Sequence, residues 1–225
     1  MPSPKIKNQL SEFKANFFGI LKPSLYEVVI MGRGYQSALS ELNSGPSSMP
    51  VRIPMSSMGM GTKLITLNCE TAQLPGSGLA TQPNRIYGPV KEYPYERIFT
   101  GDLALTFRLD HDMWLRKIFT AWQDVIYQHK PNQNNPRAGD FAYQDTYLGE
   151  MEIYQYPTKQ KASTAEVPLA QEEDDTKPVY GVRLYEVYPK SVGAIELGYA
   201  SNDTYNKQTI EFAYRNWEEI PADEF

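Results

Sequence analysis

One segment of this 225-residue chain carries a sustained helical period, and that scarcity limits the fold more than any other feature. Apolar residues recur there at i, i+3 and i+4 spacing, namely Leu115, Ile118, Phe119, Trp122, Val125 and Ile126. Asp110 or Asp112 is expected to cap this helix, because an aspartate side chain accepts hydrogen bonds from the first backbone N–H groups. The rest of the chain must therefore fold mainly through strands.

Short apolar runs rich in β-branched and aromatic residues predict those strands. The clearest covers residues 103–109, where Leu103, Leu105, Phe107 and Leu109 share one face. Further strands are predicted at residues 25–31, 63–72, 148–156, 180–188, 194–199 and 208–217. The chain shows no internal repeat and no helix-rich half. We therefore expect one mainly β domain over residues 1–225, a sandwich or barrel with one or two flanking helices.

Three long segments interrupt this pattern, at residues 32–62, 128–140 and 157–178. The first is rich in Gly, Pro and Met, the second in Asn and Pro, and the third contains the acidic run "QEEDD". We expect irregular insertions at all three, since segments of this composition and length are uncommon inside a compact domain unless they serve a function.

The bulk composition excludes several classes of protein. A net charge of −5 and a pI near 5.2 argue against tight binding to nucleic-acid phosphates, which requires clustered Lys and Arg. A single cysteine, Cys69, excludes an intrachain disulfide framework and suits a reducing compartment. The first residues contain no apolar signal region, and no window approaches a membrane span. We expect a soluble protein assembled in the cytoplasm, with no membrane partner.

The residues that could carry chemistry do not form a recognisable site. His111 and His129 lack partners at metal-ligand spacing, and Cys69 lies in an apolar run that predicts a buried, inert thiol. Glu150 and Glu152 fall on one strand face, where a glycosidase pair is conceivable, but no second carboxylate is fixed opposite them. We predict no catalytic residue, no cofactor, no metal and no enzymatic activity.

The stretch from Gln73 to Phe99 raises a different question. It follows a sharp turn at Leu74, Pro75 and Gly76, and then combines dense Tyr, Pro and Gly with no period that would bury one face locally. We call residues 73–99 the arm. An isolated domain would gain little stability by holding these aromatic residues in an extended segment, so the arm is predicted to contact another subunit.

The order of the segments resembles the tail tube family of contractile-tailed bacteriophages. "LKPSLYEVVI" is similar to the family's entry into its first strand, and "LNCETAQLPG" to its strand ending in a Cys-containing turn. "IYGPVKEYPYERIFTGDLALTFRLDHDMWLRKIFTAWQDVI" resembles the arm, strand and helix that follow. "LYEVYPKSVGAIELGYASNDTYNKQTIEFAYRNWE" resembles the closing unit.

This resemblance implies two packed antiparallel sheets with one flanking helix, assembled as six-fold rings. It also implies that the arm is an extended hairpin that reaches a neighbouring subunit. The interface residues expected on this basis are Leu74, Pro75, Gly76, Arg85, Tyr87, Gly88, Pro89, Tyr93, Tyr95 and Phe99. Genomic DNA would pass through the lumen without specific binding, and the adjacent rings would be tail tube or baseplate hub proteins.

The three insertions favour one position within such a tail. Stacked tube rings leave little room for long loops, so a ring at the baseplate–tube junction, a tube initiator, suits this chain better than the main tube. The major tail tube subunit remains the alternative in the same family. A carbohydrate-binding β-sandwich for host recognition, and a glycan hydrolase built around Glu150 or Glu152, are the alternatives from other classes.

Overall fold

The computed structural model describes residues 21–44, 65–85, 88–127, 139–157, 177–198 and 205–221. The strands are β1 (Tyr26–Gly32), β2 (Cys69–Ala72), β3 (Gly76–Asn84), β4 (Lys91–Thr100), β5 (Leu103–Arg108), β6 (Gly149–Gln155), β7 (Tyr180–Val192), β8 (Lys207–Ala213) and β9 (Asn216–Glu219). The helices are α1 (Arg33–Ser44), α2 (Trp114–Ile126) and α3 (Gln144–Tyr147). The expected mainly β class is confirmed.

The strands form two antiparallel sheets. Seven strands belong to the larger sheet. Six of them follow the order β1-β6-β7-β8-β5-β2, and β9 pairs with β7 outside this linear order. The other two, β3 and β4, pair only with each other within the described chain. The predicted arm is therefore a hairpin separate from the main sheet.

The long strand β7 joins two halves of the larger sheet. Its first part, through Val187, pairs with β6 and β9, and its last part, from Tyr188, pairs with β8. Near the end of the first part, Glu186 adopts a left-handed conformation with φ of 56°. Arg215 fixes this bend, because its Nη1 donates to Glu186 Oε1 at 2.6 Å and its backbone N–H donates to the Tyr185 carbonyl at 3.1 Å.

One hydrophobic core lies between the two halves and the helices. Alternation along the strands supplies it: β5 buries Leu103, Leu105 and Phe107, just as the sequence pattern predicts. Helix α2 contributes Phe119, whose ring lies 5.5 Å from the ring centroids of both Phe107 and Phe212. The predicted packing of β5 against α2 is confirmed by this contact.

Helix α1 corrects the sequence interpretation of the first long segment. Residues 33–44 form a regular helix where an irregular insertion was expected, and Tyr35, Ala38 and Leu39 are buried against the core. Gly34 permits the close approach, since a Cβ there would overlap the Tyr147 carbonyl and the Trp122 indole nitrogen. Most of the three predicted insertions, residues 45–62, 128–138 and 158–176, lies outside the described residues.

Several local predictions were wrong. Neither Asp110 nor Asp112 caps α2: Met113 precedes the helix with φ of 50° and no side-chain cap, and Asp110 Oδ1 accepts from the His111 N–H instead. Residues 65–68 form a helical turn, so the predicted strand at 63–72 shortens to β2. No strand is present over the described part of the predicted run at 194–199, and the run at 208–217 divides into β8 and β9.

The two ends of the larger sheet approach each other. The Tyr26 hydroxyl on β1 donates to the Cys69 carbonyl on β2 at 3.0 Å, and Thr66 Oγ1 donates to the Val28 carbonyl at 2.7 Å. Ile65 is fully buried beside this junction. We call the junction the β1–β2 seam. It joins the edges through side-chain hydrogen bonds and leaves the sheet short of a closed barrel.

Candidate functional site: the projecting hairpin

The β3–β4 hairpin is an extended antiparallel pair. Its register runs from Gly76 opposite Thr100 at the base to Asn84 opposite Lys91 near the tip. Strand β3 has nine residues, so at about 3.3 Å per residue the hairpin is roughly 30 Å long. The tip therefore lies roughly 30 Å from the base of the hairpin.

Nearly every described side chain of the hairpin is exposed. The large apolar residues include Leu79 at 65% exposure, Tyr93 at 55%, Tyr95 at 67% and Ile98 at 47%. An isolated two-stranded sheet is at best marginally stable in water, and contiguous exposed apolar residues mark interaction surfaces. These features make the hairpin surface a candidate interaction site.

A β-bulge sets which apolar side chains share a face. The register shifts between Ala80 and Thr81, which leaves Tyr95 as an extra residue on β4. Ile98 and Tyr93, five positions apart, would lie on opposite faces of a regular strand. Their partners Gly78 and Gln82 are four positions apart on β3, so the bulge brings Tyr93 and Ile98 to one face.

Trp217 on β9 anchors the hairpin base to the body. Its Nε1 donates to the Gly76 carbonyl at 3.2 Å, and its ring meets Phe99 edge-on at a centroid distance of 6.5 Å. The Arg97 guanidinium lies 5.3 Å from the Phe99 ring centroid and 5.8 Å from that of Trp217. These contacts fix the direction in which the hairpin leaves the domain.

The predicted interface residues are distributed along this hairpin. Leu74, Pro75 and Gly76 lie at the base of the hairpin, and Tyr93 and Tyr95 lie on β4. Arg85, Gly88 and Pro89 are exposed near the tip. Phe99 differs from the others, since it is half-buried against Trp217 of its own chain. Tyr87 lies outside the described residues. The interface role of these residues stays a prediction.

Sequence reasoning missed Leu79, Ile98 and the anchor Trp217. Leu79 is an isolated apolar residue among Gly, Ser and Thr, and gives no local signal. Ile98 stands out only once the register is known, and Trp217 is separated from Gly76 by 141 positions in sequence. The run "KEYPYERIFT" could have signalled β4 through its content of Tyr, Ile, Phe and Thr, which are residue types favoured in strands.

The other candidate residues occupy structural positions. Glu152 is buried and accepts hydrogen bonds from Arg183 Nε at 2.7 Å and from the Tyr154 hydroxyl at 2.8 Å, whereas Glu150 is exposed. Burial raises the pKa of the Cys69 thiol to about 12, which makes it a poor nucleophile as predicted. His111 is exposed, and His129 lies outside the described residues.

No group of His, Cys, Asp and Glu side chains in the described ranges is arranged to hold a metal ion. Among the helices of the same ranges, none has the length and apolar character needed to cross a membrane.

Comparison with solved structures returns weak global likenesses. They include a protein of the anti-feeding prophage baseplate (TM-score 0.49, 12% identity, covering 91% of this chain and 97% of that one). A second is from the sheath/tube terminator of the extracellular contractile injection system PVC (TM-score 0.46, 9% identity, 91% and 99% covered). A third is a crystal structure of Hcp protein (TM-score 0.41, 8% identity, 89% and 94% covered).

Sequence comparison gives the decisive result. No curated protein sequence matches the chain. A family model described as phage tail tube protein, however, matches residues 21–220, which include β1 through β9 and the whole hairpin. This chain belongs to the phage tail tube protein family.

Proposed function

We propose that this chain forms a six-fold ring at the baseplate–tube junction of a contractile phage tail, and that the ring encloses the DNA channel. Membership of the tail tube family makes it a component of the virion tail. The observation that carries the ring is the projecting hairpin, with Leu79, Tyr93, Tyr95 and Ile98 exposed. Assembly in the host cytoplasm and the absence of enzymatic activity are parts of the same proposal.

The hairpin supports a head-to-tail interface. Each subunit would place its hairpin on the body of the next, so one contact repeated around the ring closes it. Such a contact also covers the unpaired edges of β3 and β4, which would otherwise invite uncontrolled strand pairing. An apolar face held at a defined angle by Trp217 suits this geometry, because the ring closes only if the direction of the hairpin is fixed.

The outer face of the half-sheet formed by β1, β6, β7 and β9 carries an excess of carboxylates, which suits a DNA channel. The register places Glu27, Glu150, Glu152 and Glu218 on the face opposite the core, together with Arg183, which pairs with Glu152. A wall with excess carboxylates does not retain phosphates, whereas a basic wall would hold the strand in place. This face is the proposed channel lining; a ring with a Lys- and Arg-lined pore would refute it.

The position at the junction rests on the long segments in the sequence. For long loops such as those expected from the sequence within residues 32–62, 128–140 and 157–178, a terminal ring offers more free surface than stacked tube rings. The alternative position is the main tube. The purified chain should stay in short oligomers alone and form rings on isolated baseplates; spontaneous growth into long tubes would instead identify the major tube subunit.

The ring itself is tested by a substitution on the hairpin face. Tyr93→Asp places a charge in the proposed contact and leaves the core residues unchanged. Because an interface hot spot contributes at least ~2 kcal/mol at each junction, we expect a folded monomer by circular dichroism and sedimentation velocity. Leu197→Asp, at a residue 82% exposed but outside the hairpin, is the matched control and should still form rings.

Three outcomes would contradict this reading. Rings formed by Tyr93→Asp would place the contact elsewhere, and unfolding of this variant would place the hairpin in the core. A wild-type chain that remains monomeric, even on baseplates, and that binds a glycan array would instead favour the carbohydrate-binding alternative.

A further inference from the structure

A second group of exposed aromatic side chains belongs to residues outside the hairpin. Tyr127 is 41% exposed, Phe141 77% and Tyr143 87%. The Tyr127 and Phe141 rings lie 4.8 Å apart between centroids. We call these three residues the aromatic patch. Exposure of this extent for two contacting rings and a third two positions along the chain marks an interaction site, since scattered single apolar residues are the norm on a monomer.

The backbone under the patch is held in place. Tyr127, the residue after α2, forms a β-bridge with Phe141, and the Ala142 N–H donates to the Ile126 carbonyl at 2.9 Å. The Tyr143 carbonyl accepts a hydrogen bond from Thr146 Oγ1 at 2.6 Å. Rings presented on a fixed backbone lose little further entropy on binding, which suits a site that receives a partner.

Among the described residues, the charged side chains that flank the patch in sequence are acidic. Asp140 directly precedes Phe141, Asp145 follows Tyr143 by two positions, and both are exposed. An apolar centre with an acidic rim fits a partner segment that combines apolar or proline residues with cations, which can pair with the carboxylates and lie over the rings.

The tip of the hairpin has that composition. Residues 84–91 read "NRIYGPVK", with Arg85 and Lys91 as the charged residues and no carboxylate. Arg85, Pro89 and Lys91 are exposed. We propose that the aromatic patch receives the hairpin tip of a second copy of this chain, with Arg85 and Lys91 facing Asp140 and Asp145. The inference rests on the proposed ring and names the surface that completes each of its contacts.

The larger acidic surface is a weaker candidate for the same role. On the outer sheet face Glu27 accepts from the Tyr156 hydroxyl at 2.7 Å, Glu152 pairs with Arg183, and Glu218 accepts from the Tyr185 hydroxyl. These carboxylates already have partners within the chain. That face also lacks a cluster of highly exposed aromatic rings comparable to the patch over the described residues.

A covalent trap tests the contact directly. Pro89→Cys combined with Tyr143→Cys should give intermolecular disulfides under mild oxidation, seen as a ladder of linked subunits on a non-reducing gel. The native thiol of Cys69 is buried and does not compete. Pro89→Cys with Leu197→Cys is the matched control and should stay unlinked, because Leu197 is exposed outside the patch.

Charge exchange gives an independent test in solution. Asp145→Lys and Arg85→Glu should each raise the concentration needed for ring formation by about tenfold, and the double variant should recover most of that loss. Glu196→Lys, at an exposed acid outside the patch, should change ring formation little.

The outcomes separate this inference from the proposed function. Two results would overturn the patch as the acceptor and leave the ring standing. One is intact rings with no ladder, and the other is a double variant whose loss of ring formation equals the two single losses combined. A wild-type chain that forms no ring, together with a Pro89→Cys, Tyr143→Cys variant that gives no ladder, would overturn both. A patch that binds a different protein while rings persist in its variants would also overturn the acceptor role.

Discussion

Replacing Phe119 with alanine tests the contact on which the domain core depends. Phe119 is completely buried on α2, and its ring meets Phe107 of β5 and Phe212 of β8 at 5.5 Å each. The side chain therefore joins the helix to two adjacent strands. Truncation removes these contacts and leaves a cavity that the surrounding strands, held by backbone ladders, cannot close.

The expected cost follows from the size of the deleted group. Core Phe→Ala substitutions cost about 3–5 kcal/mol, and each aromatic pair adds ~0.5–1.5 kcal/mol beyond burial. With two such pairs lost, we expect about 4–5 kcal/mol, near the upper end of the range. For a domain of this size each kcal/mol lowers Tm by about 2–4 °C, so Tm should fall by roughly 8–20 °C.

Urea unfolding followed by tryptophan fluorescence measures this loss, since Trp122 is fully buried on the same helix. The midpoint should fall while the slope m stays constant, which identifies a stability change within one cooperative transition. Measurements at concentrations where the chain is monomeric avoid stabilisation by assembly. Phe141→Ala, at a residue 77% exposed, should change the midpoint little. Equal midpoints for Phe119→Ala and the wild type would refute the docking of α2.

Three further substitutions or treatments follow from the structure. Arg183→Leu leaves the buried Glu152 carboxylate without its cation, and should lower the free energy of unfolding by about 1.5–3 kcal/mol in urea. Because burial raises its pKa, Cys69 should resist maleimide in the folded protein at pH 8 and react fully in urea, as measured by mass spectrometry. Gly34→Ala forces a Cβ into the Tyr147 carbonyl, and should cost about 1–3 kcal/mol in the same unfolding assay.

Each of these has an internal comparison. Arg215→Leu removes a more exposed ion pair and should cost less than ~1 kcal/mol; an equal cost would show that burial of Glu152 is not decisive. Gly78→Ala places its Cβ in open space and should leave the core intact, so equal losses at both glycines would exclude a local clash. Rapid labelling of folded Cys69 would contradict its burial.

Local patterns predicted those elements whose contacts are periodic in sequence. Strand β5 alternates strictly and was predicted to within one residue, and α2 was predicted over its apolar positions, although not at its N-cap. Helix α1 was missed because "RGYQSALSELNS" contains Gly and several Ser and has only a narrow apolar face. Its stability comes from packing of Tyr35, Ala38 and Leu39 on the core, which a sequence window does not contain.

The hairpin shows the same division between local and distant information. Its extended form and its turns at Gly and Pro could be predicted, since these residues determine backbone shape locally. The set of side chains that share one face of the hairpin could not be predicted, because the bulge at Tyr95 is a property of the pairing between two strands. The anchor on Trp217 and the aromatic patch both bring together residues from separate elements.

The β1–β2 seam gives the domain one line of low stiffness. Elsewhere around the larger sheet, adjacent strands are joined by ladders of several backbone hydrogen bonds. Across the seam, the bonds from Tyr26 and Thr66 contribute only about 0.5–1.5 kcal/mol each. Separating β1 from β2 leaves every backbone ladder intact, whereas separating any other two adjacent strands breaks one. The seam is therefore where the domain can change its curvature at the smallest energetic cost, and where a subunit of the proposed ring would adapt to neighbours of different diameter.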